Sequence, residues 1–162
     1  MVKTLWAPWR MDYILDKGEK GCIFCQGLSD GAKLTLYSGS LSMVMMNKYP
    51  YANGHMLVAP KRHVASLEDL RFEEMADLLK MVRDSVGILK KVMKPDGFNV
   101  GLNLGAVAGA GVEEHLHLHI VPRWHGDTNA MTVLADVRVI SQHLDVTCRN
   151  LKPHFELLES AG

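Results

Sequence analysis

Glu114-His115-Leu116-His117-Leu118-His119-Ile120-Val121-Pro122-Arg123 is the stretch on which the fold of this chain turns. Successive side chains on a β-strand point to opposite faces. Read as a strand from His115 to Val121, the segment puts His115, His117 and His119 on one face. Leu116, Leu118 and Ile120 fall on the other, where they can enter a core. Each imidazole carries polar nitrogens that need partners, so three in register are costly as packing alone. Two chemistries suit such a row. Strand histidines at i, i+2 can hold a catalytic metal. Alternatively one ring is a nucleophile, with one nitrogen fixed by a hydrogen bond and the other left with its lone pair free. The periodicity does not choose between them.

Working outward, Gly105-Ala106-Val107-Ala108-Gly109-Ala110-Gly111 precedes the histidines. Glycine-rich loops can cradle phosphate with backbone N–H groups, because glycine permits the φ values and close approach required. Phe98–Leu104 alternates as a strand before this loop. Further upstream Met75, Leu78, Leu79, Val82, Val86 and Leu89 recur at helical spacing, giving one apolar face. Ser66 with Asp69 resembles a capping box for that helix, and Pro95-Asp96-Gly97 ends it. Lys33–Tyr37 and Leu41–Asn47 read as strands around a Ser38-Gly39-Ser40 turn, the second carrying Met43, Met45 and Met46 into the core. His55–Ala59 is a third strand. The tail from Val139 to Leu158 reads as a helix that Pro153 interrupts. The order strands, helix, strands, helix predicts an α+β domain, an antiparallel sheet with helices packed on one side.

At 162 residues the chain fits one domain. It can bury about 70% of its unfolded surface without help from disulfides. Eighteen Lys plus Arg balance 18 Asp plus Glu, so no nucleic acid or other general polyanion is an expected partner. Any phosphate must meet a local site. The start, MVKTLWAPWR, lacks the apolar core of a signal peptide, and no apolar run approaches the ~18 residues of a membrane span. Three cysteines, two of them in Cys22-Ile23-Phe24-Cys25, argue against a secreted disulfide framework and for a cytoplasmic protein. The C-x-x-C pair is open to three readings: a redox pair, a zinc half-site or two packed thiols. No βαβ pattern surrounds it, as a thioredoxin-like motif would require. A structural zinc would need two more N or S ligands from elsewhere. Cys148 reads as a small packed hydrophobe, and His125, His143 and His154 as surface residues.

HLHLHIV is similar to the H-φ-H-φ-H-φ-φ signature of the histidine-triad (HIT) superfamily. Asn47 and the segment NGHMLVAPKRHV, Asn53 to Val64, resemble its ribose-binding strand and its G-H-x-L-V-x-P block. The resemblance covers roughly residues 21–125. LWAPWRMDY, GFNVGLNLG and HIVPRWHGDTN resemble diadenosine tetraphosphate phosphorylase-like and Fhit-like members. The resemblance implies a HIT-like fold, with a long helix and a C-terminal helix packed on the sheet. It implies an N-terminal arm at 1–20, a HIT domain at 21–130 and a C-terminal helical extension of the same domain at 131–162.

The implied enzyme is a nucleotidyl hydrolase or phosphorylase acting on dinucleoside polyphosphates. His117 Nε2 attacks the α-phosphorus and forms a covalent nucleotidyl-histidine. A carbonyl near His115 fixes the His117 tautomer, His119 serves the scissile phosphate and leaving group, and His55 stands behind them. Asn47 is the implied ribose contact, and Asn103, Gly109 and Gly111 serve the phosphates. Trp124 stacks on a base or packs at the strand end. Many members carry glutamine and a serine or threonine in the glycine loop. Here Gly109-Ala110-Gly111 offers main-chain donors without the hydroxyl. In zinc-containing members, the knuckle is completed by the histidine of a P-K-x-H block and by the first triad histidine. That implies structural Zn2+ on Cys22, Cys25, His63 and His115. A homodimer is implied as well. A nucleoside phosphoramidate hydrolase and a non-enzymatic nucleotide sensor are the alternatives.

Overall fold

A computed structural model describes residues 21–28, 33–127 and 140–159. The arm expected at 1–20, with Trp6, Pro8 and Trp9, lies outside the described residues, as does the segment 128–139. The strands are β1 (Thr35–Ser38), β2 (Ser42–Met46), β3 (Met56–Pro60), β4 (Gly97–Leu102) and β5 (Leu118–Arg123). The helices are α1 (Ile23–Gly27), α2 (Phe72–Met93) and α3 (Leu144–Glu159). The five strands form one sheet in the order β1-β2-β3-β5-β4, antiparallel at every pairing. This is the α+β architecture read from the sequence.

Alternation along β2 and β3 feeds two cores rather than one. Val44, Met46, Met56 and Val58 pack with Leu78, Met81 and Leu89 of α2 and with Leu151 and Phe155 of α3. Met43, Met45, Leu57 and Ala59 point the other way and pack with Phe24 of α1. The expectation of helices on one side therefore holds for α2 and α3, while the short α1 covers the centre of the opposite face. Both central strands are buried along their whole length, with the three methionines inside as expected.

The long helix starts later than Ser66 and Asp69 suggest. Ser66 precedes a single 3-10 turn, Leu67–Asp69, and its side chain makes no capping bond. The extended backbone at Leu70, whose side chain is buried, breaks that turn from α2. The working cap is Glu74, whose Oε2 accepts the Arg71 N–H at 2.9 Å from the third helical position. Glu74 is buried. Hydrogen bonds from Arg62 and then Arg71 hold its carboxyl far below the usual carboxylate range. Along α2 the buried apolar residues are Leu78, Met81 and Leu89. Leu79, expected on that face, is 65% exposed. The helix ends at Lys94, in a left-handed conformation (φ 49°), followed by Pro95.

The C-terminal helix runs through Pro153. Proline removes the bond to the carbonyl four residues back. Here that carbonyl belongs to Arg149, on the exposed side, where water can serve it. Cys148 is buried in this helix, as expected.

Phe155 is fully buried among residues of the helix-side core. Phe155→Ala is expected to cost about 3–5 kcal/mol, the usual range for an emptied aromatic site. Equilibrium urea unfolding would show this as a lower midpoint. A loss under about 1 kcal/mol would mean that the two-core packing described above is wrong.

Candidate active site

The triad segment reaches its site only partly as strand. β5 begins at Leu118, so His115 and His117 lie on an extended approach without ladder bonds, contrary to the expected strand from His115. Pro60 ends β3 and has no N–H to continue the pairing. The loop beyond takes over, and Leu116 N–H donates to the Val64 carbonyl at 2.7 Å. The alternation survives the change. Leu116 and Ile120 are in the helix-side core with Leu118 packed against it. His119 pairs across from Leu57, on the Phe24 side. The Phe24 ring centroid is 4.9 Å from both His115 and His117.

Backbone carbonyls fix two of the tautomers. His117 Nδ1 lies 2.8 Å from the His115 carbonyl, which can only accept, so the ring proton is on Nδ1 and the lone pair on Nε2. His115 Nε2 lies 2.8 Å from the Pro60 carbonyl, so this ring carries its proton on Nε2 and its lone pair on Nδ1.

A backbone N–H fixes the other two. Tyr51 N–H donates to His55 Nδ1 at 3.0 Å, which leaves the His55 proton on Nε2. That nitrogen lies 2.9 Å from His119 Nδ1 and donates to it, so His119 holds its own proton on Nε2. His119 Nε2 is buried and has no partner among the described residues. His117 and His119, with centroids 4.9 Å apart, thus present opposite chemistry. One offers a lone pair and the other an N–H. Burial pushes both rings down from the ordinary 6.5, His119 to about 4 with the neighbouring His117 adding to the effect. Both are neutral near pH 7.

The remaining expected residues divide. Asn47 meets His55, its Nδ2 3.3 Å from Nδ1, while its Oδ1 accepts the Tyr49 N–H. Asn103 leaves β4 one residue after Leu102, which pairs with Leu118, so it stands level with His117. Its Nδ2 donates to the Gly109 carbonyl at 3.2 Å. In the glycine loop the N–H groups of Ala108, Gly109 and Ala110 bond carbonyls of Gly105 and Ala106. The expected cradle is therefore narrower than a run of open donors. Gly111 has open space where a side chain would begin. Trp124 follows β5, five residues and about 16 Å of extended chain beyond His119, away from the His117–His119 pair. His125 is exposed and bonded to Asp96.

Cys22, Cys25, His63 and His115 converge, their ligating atoms all within 4.8 Å of one another. Cys22 Sγ is 3.2 Å from His115 Nδ1, and Cys25 Sγ is 3.4 Å from His63 Nδ1 and 3.8 Å from His115 Nδ1. A tetrahedral zinc with ordinary Zn–S and Zn–N bonds separates sulfur from nitrogen by about 3.5 Å. The donor set and spacing fit that ion, and the His115 proton sits on the nitrogen facing away from it. Among the described residues this cluster takes His115 but neither His117 nor His119.

A family model described as the HIT domain matches residues 31–126. The chain belongs to the HIT family. Relatives of this HIT protein include AP-4-A phosphorylase of Mycobacterium tuberculosis, 40% identical over 93% of this chain and 83% of the relative. Adenosine 5'-monophosphoramidase of Schizosaccharomyces pombe is 35% identical over 63% of this chain and 74% of its own length. Among solved structures, a zinc-bound histidine triad family protein from Mycobacterium smegmatis superposes with a TM-score of 0.69. It has 28% identity, and the match covers 90% of this chain and all of that one.

Two residues of this HIT protein's site escaped the sequence reading. Phe24 hides as a spacer inside C-x-x-C. Tyr51 acts through its backbone N–H, and its ring lies nearly parallel to His119, tilted 15° at 5.9 Å. The usable signal for Tyr51 was its place four residues before His55, within reach of a turn. Among the described residues no helix is long and apolar enough to cross a membrane.

The depressed His119 value sets a pH dependence. The unfolded chain takes up this proton near pH 6.5 and the folded chain only near 4. Stability is then fully present above about pH 6.5 and is lost as pH falls towards 4. Urea midpoints measured between pH 7 and pH 4.5 should fall, and His119→Gln should make that fall shallower. An unchanged slope in the variant would contradict the buried neutral ring.

Proposed function

We propose that this HIT enzyme cleaves dinucleoside polyphosphates of the diadenosine tetraphosphate type at an α-phosphorus through a covalent nucleotidyl-histidine. The observation that carries the reading is the pair of opposed tautomers on His117 and His119. The His117 Nε2 lone pair attacks phosphorus, forming an N–P bond as the P–O bond to the leaving group breaks. His119 Nε2–H hydrogen-bonds the departing oxygen, which leaves as a polyphosphate anion. An incoming water or inorganic phosphate oxygen then attacks the same phosphorus, the N–P bond breaks, His117 recovers its lone pair, and the proton of the incoming oxygen is released to solvent. His55 and Asn47 hold His119 in the donating tautomer. Asn103 and Gly111 meet the non-reacting phosphate oxygens, Gly109 shapes the loop that presents them, Asn47 also meets the ribose, and Trp124 contacts the distal part of the substrate. The 40% identity to an AP-4-A phosphorylase supports this substrate class.

Cys22, Cys25, His63 and His115 hold a structural zinc, supported by their spacing and by the zinc-bound relative. Such an ion ties the α1 segment and the loop after β3 to the approach of β5 and contributes to folding free energy. The protein is proposed to work in the cytoplasm as a homodimer. β4 is an edge strand among the described residues, with Val100 47% exposed, which supports pairing with a second copy. Release of ammonia from adenosine 5'-phosphoramidate is the second reading, favoured by the monophosphoramidase relative.

Two measurements test the chemistry. His117→Asn should lower turnover at least about a thousandfold while nucleotide still binds. Acid quench during turnover of α-labelled diadenosine tetraphosphate should trap acid-labile label on the unaltered chain only. A full rate in His117→Asn sinks the nucleophile assignment. Product analysis then names the acceptor: ADP with ATP, dependent on inorganic phosphate, marks phosphorolysis, and AMP with ATP marks hydrolysis.

A further inference from the structure

The segment 61–66 carries His63, a ligand in the proposed metal site, and has no helix or strand of its own. Its ends are tied: Lys61 N–H donates to the Leu41 carbonyl, and the Val64 carbonyl accepts the Leu116 N–H. His63 is exposed, and its ring touches only the edge-on His115 ring, centroids 5.0 Å apart, among the ring contacts of the described residues, so its aim at Cys25 depends on how the loop backbone is held. Its chain neighbour Arg62 is held hard. Arg62 Nε donates to Glu74 Oε1 at 2.9 Å and Nη2 to Glu74 Oε2 at 2.7 Å, while Nη2 also meets the Asp69 carbonyl at 2.7 Å. The fork-on-carboxylate arrangement fixes direction as well as distance. Arg71 closes the other side of the same carboxylate through its backbone N–H and its Nη2. Glu74 is buried at the first turn of α2, which is anchored in the core.

We infer that Glu74, acting through Arg62, is a positioning residue for the Cys22/Cys25/His63/His115 metal site, fixing the loop so that His63 faces the two thiols. The inference rests on the metal reading proposed above. Neither Glu74 nor Arg62 touches a donor atom of the four. Their role is to keep the fourth ligand where the other three need it, since a ligand that must be ordered at binding weakens the site by its ordering entropy.

The test uses Co2+ as the probe, titrated into the full chain against a competing chelator and read by the visible absorption of thiolate-bound tetrahedral cobalt. Arg62→Ala and Glu74→Gln should each weaken Co2+ binding about tenfold, the low end for residues supporting metal ligands. The double variant should weaken it no further than the stronger single change, because both break one device. Leu78→Ala, which loosens the same helix from the core without touching the clamp, should keep the affinity and the spectrum of the unaltered chain. Unchanged affinity in both clamp variants, beside an unaltered chain that binds normally, overturns the inference alone. Equal weakening in Leu78→Ala reduces the effect to general loosening and also overturns it. An unaltered chain without the thiolate–cobalt bands overturns the metal reading and this inference together.

Discussion

A single hydrogen bond, 2.8 Å from His117 Nδ1 to the His115 carbonyl, decides which nitrogen of His117 keeps its lone pair. An imidazole free to exchange tautomers shows its lone pair at either edge. Here a main-chain carbonyl removes that freedom, and a carbonyl cannot be protonated away near neutral pH. The same residue is engaged at three points. The His115 ring donates to Pro60, its other nitrogen turns towards the sulfurs, and its carbonyl holds His117. Order at the Cys22/Cys25/His63/His115 cluster and order at the His117 ring are therefore properties of one residue.

The second layer of control is dielectric. Phe24 lies against His115 and His117, and Tyr51 against His55 and His119. These rings exclude water and disfavour imidazolium. A charged His117 would have no lone pair, and a charged His55 could not accept the Tyr51 N–H. The tautomer pattern and the burial enforce one another. The cost is a buried N–H on His119 without a partner among the described residues, a group able to donate a hydrogen bond to an oxygen placed beside it.

Much of this was legible in the chain itself, and the reasons are particular. His115, His117 and His119 share a face because period two holds for any extended backbone, whether or not a ladder is formed. The exact start of β5 was not legible, because it depends on Pro60, distant in sequence, ending the neighbouring strand. The start of α2 was misread for a similar reason. Ser66 and Asp69 carry a capping signature, but the true cap, Glu74, is stabilised by Arg62 from the preceding loop, a contact no local pattern displays. Leu79 fits the helical period yet points to solvent, since the period does not say which of two adjacent apolar residues turns inward. Phe24 and Tyr51 stayed hidden because one acts by ring packing between two motifs and the other mainly through its main chain. The convergence of Cys22, Cys25, His63 and His115 was expected through the resemblance, not from spacing: Cys22 and His115 stand 93 residues apart.

That separation has a kinetic meaning. The four donors come from α1, the loop after β3, and the approach to β5, so none of the shorter hairpins assembles them. Closing so large a loop carries an entropic toll that local structure does not relieve. On the metal reading proposed above, an ion captured there would act as a late staple between segments distant in sequence. A chain emerging from the ribosome holds the knuckle and His63 long before His115 exists to meet them. Until then both thiols are open to oxidation or to a stray soft metal.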